Sequence, residues 1–197
     1  MQVTGEMVKE LREKTNAGLM DCKRALAATG GDVQKAIDYL RKSGLAIAAK
    51  KAGRAAAEGV IGAYIHHGDK IGVMVEVNCE TDFVARNADF KEFVKLVTLQ
   101  IASAAPTYLA SSEVPEEVLG REKEVLAAQV KGKPPQIVEK IVQGRLAKFY
   151  ETCCLLEQPS VRPEHEGRKI RELLTDLIAK LGENIVIKRF TRYQLGA

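Results

Sequence analysis

The spacing of apolar residues changes from a helical period to an extended one near Gly59. Before that point, apolar residues recur every three or four positions in three short segments, which predicts three helices within residues 1–44. Thr4 and Asp32 stand where the N-caps of the first and third helices are expected, and Ser43-Gly44 is expected to end the third. Residues 1–44 are therefore predicted to form a small three-helix bundle.

Residues 45–57 are rich in alanine and lysine, a composition that favours helix. We expect a linker helix here, between the bundle and the rest of the chain.

From residue 58 the apolar residues alternate with polar ones, as in half-buried strands. Residues 60–66 and 71–78 are predicted to pair as a hairpin, and residues 185–193 to form a third strand by their β-branched and aromatic content. The fold class is therefore α+β. It comprises an N-terminal bundle, a linker helix and a domain over residues 58–197 with a small antiparallel sheet of about three strands, covered by helices.

Helices are predicted to cover the sheet in the second half of the chain. Asn87 is a candidate N-cap for a long amphipathic helix, and Pro134-Pro135 stands at the start of another. A third regular helix is expected to end at Gly182 in a left-handed C-cap.

The segment Val77–Arg86 joins the hairpin to the first of these helices, and it holds an aromatic residue, Phe83, at the corner. Two interpretations are open. Phe83 is either an ordinary buried core residue or an exposed aromatic that anchors an interface.

Composition narrows the classes of function. The chain has 197 residues, 46% apolar and 28% charged, a net charge of +4 and only 5% aromatic residues. Its apolar runs are shorter than the roughly 18 residues of a membrane span, and its N-terminus lacks a signal-peptide pattern. We therefore expect a cytoplasmic globular protein that binds neither membranes nor nucleic acid directly.

No pattern predicts covalent chemistry, a cofactor or a metal site. The four cysteines show no C-x-x-C spacing, and His66 and His67, adjacent on a strand, point to opposite faces. A thiol enzyme built on Cys153-Cys154 has no evident activating partner. We therefore expect no catalytic residues and an interaction protein.

Three motifs resemble those of translation elongation factor Ts. Residues 11–23 (LREKTNAGLMDCK) are similar to the N-terminal signature of that family, residues 77–85 (VNCETDFVA) to its second signature, and residues 180–185 (KLGENI) to its C-terminal one. The motifs occur in the family's order over the whole chain. Asn16 and Leu19 depart mildly from the first signature.

The resemblance implies a guanine-nucleotide exchange factor for elongation factor Tu, with no cofactor. It also implies that the bundle is ubiquitin-associated-like and docks on the GTPase domain of Tu. The residues it assigns to docking are Arg12, Leu19, Met20 and Lys23. Those assigned to disturbing the magnesium site of Tu are Thr81, Asp82, Phe83 and Val84, with Phe83 as an inserted wedge. Those assigned to the core contact region are Leu181, Gly182, Glu183, Asn184 and Ile185.

The chain has room for one core subdomain, so it resembles the short form of the family, in which two subunits pair. We therefore expect a homodimer, with the strand at 185–193 as the pairing surface. The alternative is an RNA- or ribosome-associated basic module. Its candidate contacts are Lys50, Lys51, Arg54, Lys188, Arg189 and Arg192.

Overall fold

The computed structural model describes residues 3–15, 17–130 and 134–196, and within them eight α-helices and three antiparallel strands. The helices are α1 (Gly5–Thr15), α2 (Leu19–Ala28), α3 (Val33–Lys51), α4 (Asp82–Ala85), α5 (Ala88–Ala104), α6 (Glu116–Ala128), α7 (Pro135–Cys153) and α8 (Ile170–Leu181). The strands are β1 (Glu58–Ile65), β2 (Ile71–Cys79) and β3 (Val186–Gln194), in the spatial order β1-β2-β3. The predicted α+β class is confirmed. The motif residue Asn16 lies outside the described residues.

Contacts divide the chain into two compact units. The first unit comprises Met1–Gly59, Asn78–Lys91 and Glu172–Val186. The second comprises Val60–Val77, Glu92–Arg171 and Ile187–Ala197. The first unit thus contains the three N-terminal helices, the third signature motif and all of the second signature motif except Val77. The division predicted from sequence, at residues 44 and 57, stays a prediction.

The N-terminal helices of the first unit pack around a small apolar core. Its buried members are Val8, Leu11, Cys22, Ala25, Leu26 and Ala36. Both predicted caps are confirmed, because the Thr4 hydroxyl accepts the Met7 N–H at 3.3 Å and the Asp32 carboxylate accepts the Lys35 N–H at 3.0 Å. The three-helix arrangement follows from the apolar spacing.

Helix α3 does not end at Ser43-Gly44, and that prediction is wrong. The helix continues to Lys51, so residues 45–51 extend α3, and residues 52–57 lie outside any helix. Gly44 is buried, and a Cβ added to it would lie 3.7 Å from Cβ of Ala179 and 3.9 Å from Cγ2 of Thr175. The glycine therefore marks the place where α3 packs closely against α8, and not a helix stop.

The second unit contains most of the hairpin, as predicted. Its tight turn has a left-handed backbone at Gly68 and Asp69. Gly62 on β1 faces α5, where an added Cβ would lie 2.5 Å from Cγ1 of Val94. That face of the sheet is thus covered, and the close approach requires glycine. Further along the chain, α6 and α7 pack on each other through Leu126, Val142 and Leu146.

Candidate partner-binding site

The segment from Cys79 to Arg86, here called the corner, joins β2 to α5 through the single-turn helix α4. Thr81 is the N-cap of α4, with an extended backbone (φ −131°, ψ 154°), and its hydroxyl accepts the Val84 N–H at 3.4 Å. Asp82 and Arg86 form an ion pair at 2.9 Å across the turn. Asn87 then caps α5, as predicted, by accepting the Asp89 N–H at 2.8 Å.

The first two residues of α4 are exposed and the last two are buried. Phe83 is 79% exposed, whereas Val84 is 5% and Ala85 7% exposed. Neighbours in a helix are rotated by about 100°, so burying Val84 and Ala85 directs Asp82 and Phe83 outward. Phe83 is therefore not a core residue in this structure, and its role as an interface anchor stays a prediction.

A single helical turn has little stability of its own, because helix nucleation fixes several residues for one hydrogen bond. The conformation of α4 must therefore come from tertiary contacts. Burial of Val84 and Ala85 supplies some of them, and the rest come from the segment that follows α8.

Gly182 ends α8 in the left-handed conformation (φ 73°), which confirms the predicted C-cap. The next residue, Glu183, accepts three hydrogen bonds from the corner. Its Oε2 accepts the N–H groups of Glu80 and Thr81, each at 3.1 Å, and its Oε1 accepts the Thr81 hydroxyl at 2.6 Å.

A carboxylate of the corner in turn accepts a backbone N–H from the segment after α8. The Glu80 carboxylate accepts the Asn184 N–H at 2.6 Å and forms an ion pair with Arg54 at 3.4 Å. The Asn184 N–H, with a smaller contribution from Arg54, lowers the pKa of the Glu80 carboxyl below its usual value. Asn184 also donates its side-chain amide to the Arg54 carbonyl at 2.7 Å. We call this reciprocal set of bonds among Arg54, Glu80, Thr81, Glu183 and Asn184 the clamp.

The structure gives the third motif a supporting position. Asn184 and Ile185 are 4% and 2% exposed, and Leu181 and Gly182 are half-buried. Glu183 is half-buried and directs its carboxylate to the corner. These five residues were expected as a contact region for a partner. In this structure Asn184 and Ile185 present almost no surface to solvent. The Glu183 carboxylate is already hydrogen-bonded within the chain.

The residues assigned to docking lie at the junction of α1 and α2, and we call Arg12, Leu19, Met20 and Lys23 the docking face. All four are exposed, with Leu19 at 56% and Met20 at 63%. The carboxylates beside them are paired with other cations, since Glu10 bonds Lys14 and Asp21 bonds Arg24. The docking face therefore offers two apolar side chains flanked by two cations.

The cysteines offer no reactive thiol. Cys22, Cys79 and Cys154 are buried and Cys153 is half-buried, all as free thiols. Burial raises the pKa of each, that of Cys154 to about 12. The Cys79 thiol instead acts structurally, donating to the Thr81 carbonyl at 3.1 Å.

The search for other kinds of site was confined to the described residues. They contain no group of three or more His, Cys, Asp or Glu side chains placed to hold a metal ion. None of their helices has the length and apolar content of a transmembrane segment.

Sequence reasoning missed Arg54 and Glu80 as parts of the site. Arg54 lies in the segment where a linker helix was expected. Glu80 belongs to the second motif, but the resemblance assigns no role to it. Their contacts join parts of the chain that are 26 and 104 residues apart. No local pattern carries a signal for such pairs.

The family model described as elongation factor TS matches residues 1–166 of the chain. A protein named elongation factor Ts from Thermodesulfovibrio yellowstonii is 56% identical over 198 residues, covering 100% of this chain and 98% of the relative. The elongation factor Ts of Carboxydothermus hydrogenoformans is 56% identical over 196 residues, which cover 98% of this chain and 89% of the relative. The elongation factor Ts of Geobacter metallireducens is 56% identical over 198 residues, which cover 100% of this chain and 91% of the relative.

Proposed function

This chain belongs to the elongation factor Ts family of translation elongation factors, and we propose on that basis that it accelerates the release of GDP from elongation factor Tu. The activity is exchange by binding, with no covalent step. The observation that carries the proposal is Phe83, a large apolar side chain held 79% exposed in a turn whose next two residues are buried.

An exchange factor must bind the nucleotide-free GTPase more tightly than the nucleotide-bound form, because only differential affinity shifts an equilibrium. Moving a population from 1:99 to 99:1 takes about 5.5 kcal/mol of such preference. Burying Phe83 in a pocket of Tu would contribute about 1.5–3 kcal/mol. The wedge therefore supplies up to about half of the preference, and other contacts must supply the rest.

The magnesium ion of the Tu-bound nucleotide is the target we propose for the wedge. Magnesium requires near-ideal octahedral geometry, so a small displacement of the residues around it weakens its binding and that of the phosphates. Phe83 would enter beside this site, with Asp82 and Thr81 at its edge. Val84, being buried, would hold the turn and not touch Tu.

The docking face would make the first contact with the GTPase domain of Tu. Leu19 and Met20 provide apolar area, and Arg12 and Lys23 provide charge that favours encounter with an acidic surface. Docking that is equally strong in both forms of Tu raises affinity without driving release. The docking face and the corner are therefore proposed to have separate roles.

We also propose a homodimer, formed through the open face of the sheet. An added Cβ on Gly72 would lie 3.1 Å from Cδ1 of Ile65, so these residues share a face, and strand alternation adds Ile61 and Met74 to it. Glu76 on β2 bonds Arg189 of β3 at 2.7 Å, so the same alternation adds Tyr193. The four apolar residues Ile61, Ile65, Met74 and Tyr193 are all exposed.

This surface differs from the one expected from sequence. Ile185 and Ile187 are buried and take no part in it, while β3 contributes Tyr193. A second copy is the proposed occupant because an apolar patch that meets itself across a two-fold axis is self-complementary. Met74→Lys should turn the dimer into a monomer in light-scattering chromatography, while Val125→Ala on α6 should not. A monomeric wild type would refute the dimer.

The alternative of an RNA-binding module draws less support from the geometry. Of its six candidate cations, Arg54 pairs with Glu80 and Arg189 with Glu76 within the protein. Arg192 bonds Gln194 and the Ala102 carbonyl. Binding of RNA that weakens steeply with salt, without any effect on Tu, would favour this alternative.

A role in translation elongation places the protein in the cytoplasm, and we propose that location. The decisive experiment is release of fluorescent GDP from Tu with and without this chain, at several magnesium concentrations. We expect acceleration at saturating magnesium and a smaller fold-acceleration at low magnesium, where the ion that the wedge displaces is already depleted. Phe83→Ala should lose most of the acceleration at an unchanged melting temperature. Val125→Ala, which also removes an exposed apolar side chain, is the matched control. If Phe83→Ala unfolds, or is as active as the wild type, the wedge is wrong.

A further inference from the structure

The Glu183 carboxylate lies at the centre of the clamp, and its bonding capacity is largely used within the chain. An ionised carboxylate has about four lone-pair positions. Three hydrogen bonds from Glu80 and Thr81 occupy this one. Little capacity remains for a partner, so Glu183 is poorly suited to a direct contact.

The bonds also determine where the wedge points. Thr81 is the N-cap of α4, and Glu183 holds both its N–H and its hydroxyl. Fixing the N-cap sets the start of the turn that directs Phe83 outward. In the reverse direction, Glu80 holds the Asn184 N–H, so the two segments fix each other.

Further contacts tie the same two segments together. Lys180 near the end of α8 pairs with Asp89 at the start of α5 at 2.8 Å. The chain is thus bound to the end of α8 and the residues after it both before α4, at Glu80 and Thr81, and after α4, at Asp89. A side chain held in its binding conformation before encounter loses less entropy on binding.

We propose that Glu183 is a positioning residue for nucleotide exchange: it pre-organises the corner so that Phe83 is presented in one orientation. This inference rests on the proposed function, and it assigns to Glu183 a role different from partner contact. Glu183 acts through Phe83, and its effect therefore depends on Phe83 being present.

The test compares Glu183→Ala, Glu183→Gln and Glu183→Asp in the full chain. The alanine variant removes all three bonds. The glutamine variant keeps an oxygen for the two N–H groups and can donate its amide to the Thr81 hydroxyl. The aspartate variant keeps the charge, but its side chain is one methylene shorter. It replaces the alanine variant in the comparison if the alanine variant fails to fold. Glu139→Ala, an exposed glutamate on α7, is the control.

The first readout needs no partner. Hydrogen exchange of the Glu80 and Thr81 amides in the free chain should become at least about tenfold faster in Glu183→Ala, because bonds to a charged acceptor are lost. Glutamine should restore protection, and the amides of α1–α3 should be unaffected. Unchanged protection at residues 80 and 81 would overturn the clamp itself.

The second readout is GDP release from Tu as a function of the concentration of the variant. Glu183→Ala should lower the saturating release rate about tenfold while leaving the half-saturating concentration within about twofold, since the docking face is intact. Glutamine should recover most of the rate. In a Phe83→Ala background the further loss should be less than about twofold, because coupled residues are not additive.

The outcomes separate the two ideas. A wild type that does not accelerate release rejects the proposed function, and the positioning role with it. An active wild type with an equally active Glu183→Ala rejects the positioning role alone. If alanine and glutamine are equally impaired and the loss persists without Phe83, Glu183 touches Tu directly and the inference is wrong.

Discussion

The corner and the docking face both present apolar side chains to solvent, but they are supported in different ways. Phe83 stands on a turn held by buried neighbours and by the clamp. Leu19 and Met20 begin α2, whose N-cap, Gly18, has no side chain with which to cap the helix. Hydrogen bonds with residues more than 100 positions away hold the corner.

This difference fits the two proposed roles. A docking surface gains from apolar area and charge and tolerates small movements. A wedge must arrive in one orientation, because its binding energy is used to displace groups in the partner. Variants at the corner should therefore change stability or the saturating rate, and variants at the docking face should change affinity.

The largest expected effect is that of Val84→Ala, at the corner. Removing two buried methyl groups should destabilise the protein by about 2 kcal/mol. That should lower the melting temperature by about 4–8 °C. Calorimetry measures the shift, with Val125→Ala, an exposed valine, as the matched control. A variant as stable as the wild type would mean that Val84 does not anchor α4.

The next effect is that of Leu19→Ala with Met20→Ala, at the docking face. Both side chains are more than half exposed, so the melting temperature should stay nearly unchanged. The half-saturating concentration in GDP release should rise about 5- to 30-fold, corresponding to about 1–2 kcal/mol of lost contact, at an unchanged saturating rate. A fall in the saturating rate instead would contradict the division of roles.

Much of the corner could be predicted from sequence. The alternating strand, the Asn87 cap and the glycine after α8 are local signals, and all three appear as expected. Local patterns could not separate Val84 from Phe83, because a four-residue turn is too short to show a period. Burial settles that distinction, and burial depends on the whole fold.

The rest was missed because it depends on contacts between distant segments. Glu183 bonds residues that are 102 and 103 positions away, which no spacing rule describes. The prediction that Gly44 ends α3 is wrong for a related reason. A glycine after an amphipathic stretch predicts a C-cap, but here it admits α8, and only the tertiary contact distinguishes the two.

Gly44→Ala tests the packing of α3, which joins the bundle to the segment that bears Arg54. A Cβ here would make ordinary contacts, at 3.7 Å to Ala179 and 3.9 Å to Thr175. Alanine should therefore stabilise the helix by about 0.5–1 kcal/mol and leave exchange activity unchanged. Gly62→Ala is the contrasting control. Its Cβ would lie 2.5 Å from Cγ1 of Val94, so this substitution should destabilise the protein. Destabilisation by Gly44→Ala would show that α3 and α8 cannot separate even slightly.

The smallest effect concerns pH and the clamp. The Asn184 N–H and Arg54 lower the pKa of Glu80 in the folded chain below its usual value of 4.5. A carboxyl whose pKa is lower when folded stabilises the protein above its unfolded pKa, and this contribution is lost as the pH falls through the folded pKa. Glu80→Gln should thus melt below the wild type at neutral pH, and the gap should narrow as the pH falls below about 4.5. Glu139→Gln should show little gap at any pH. A Glu80→Gln gap that stays constant into acid would mean that the gap does not come from the charge of Glu80, which would contradict the prediction.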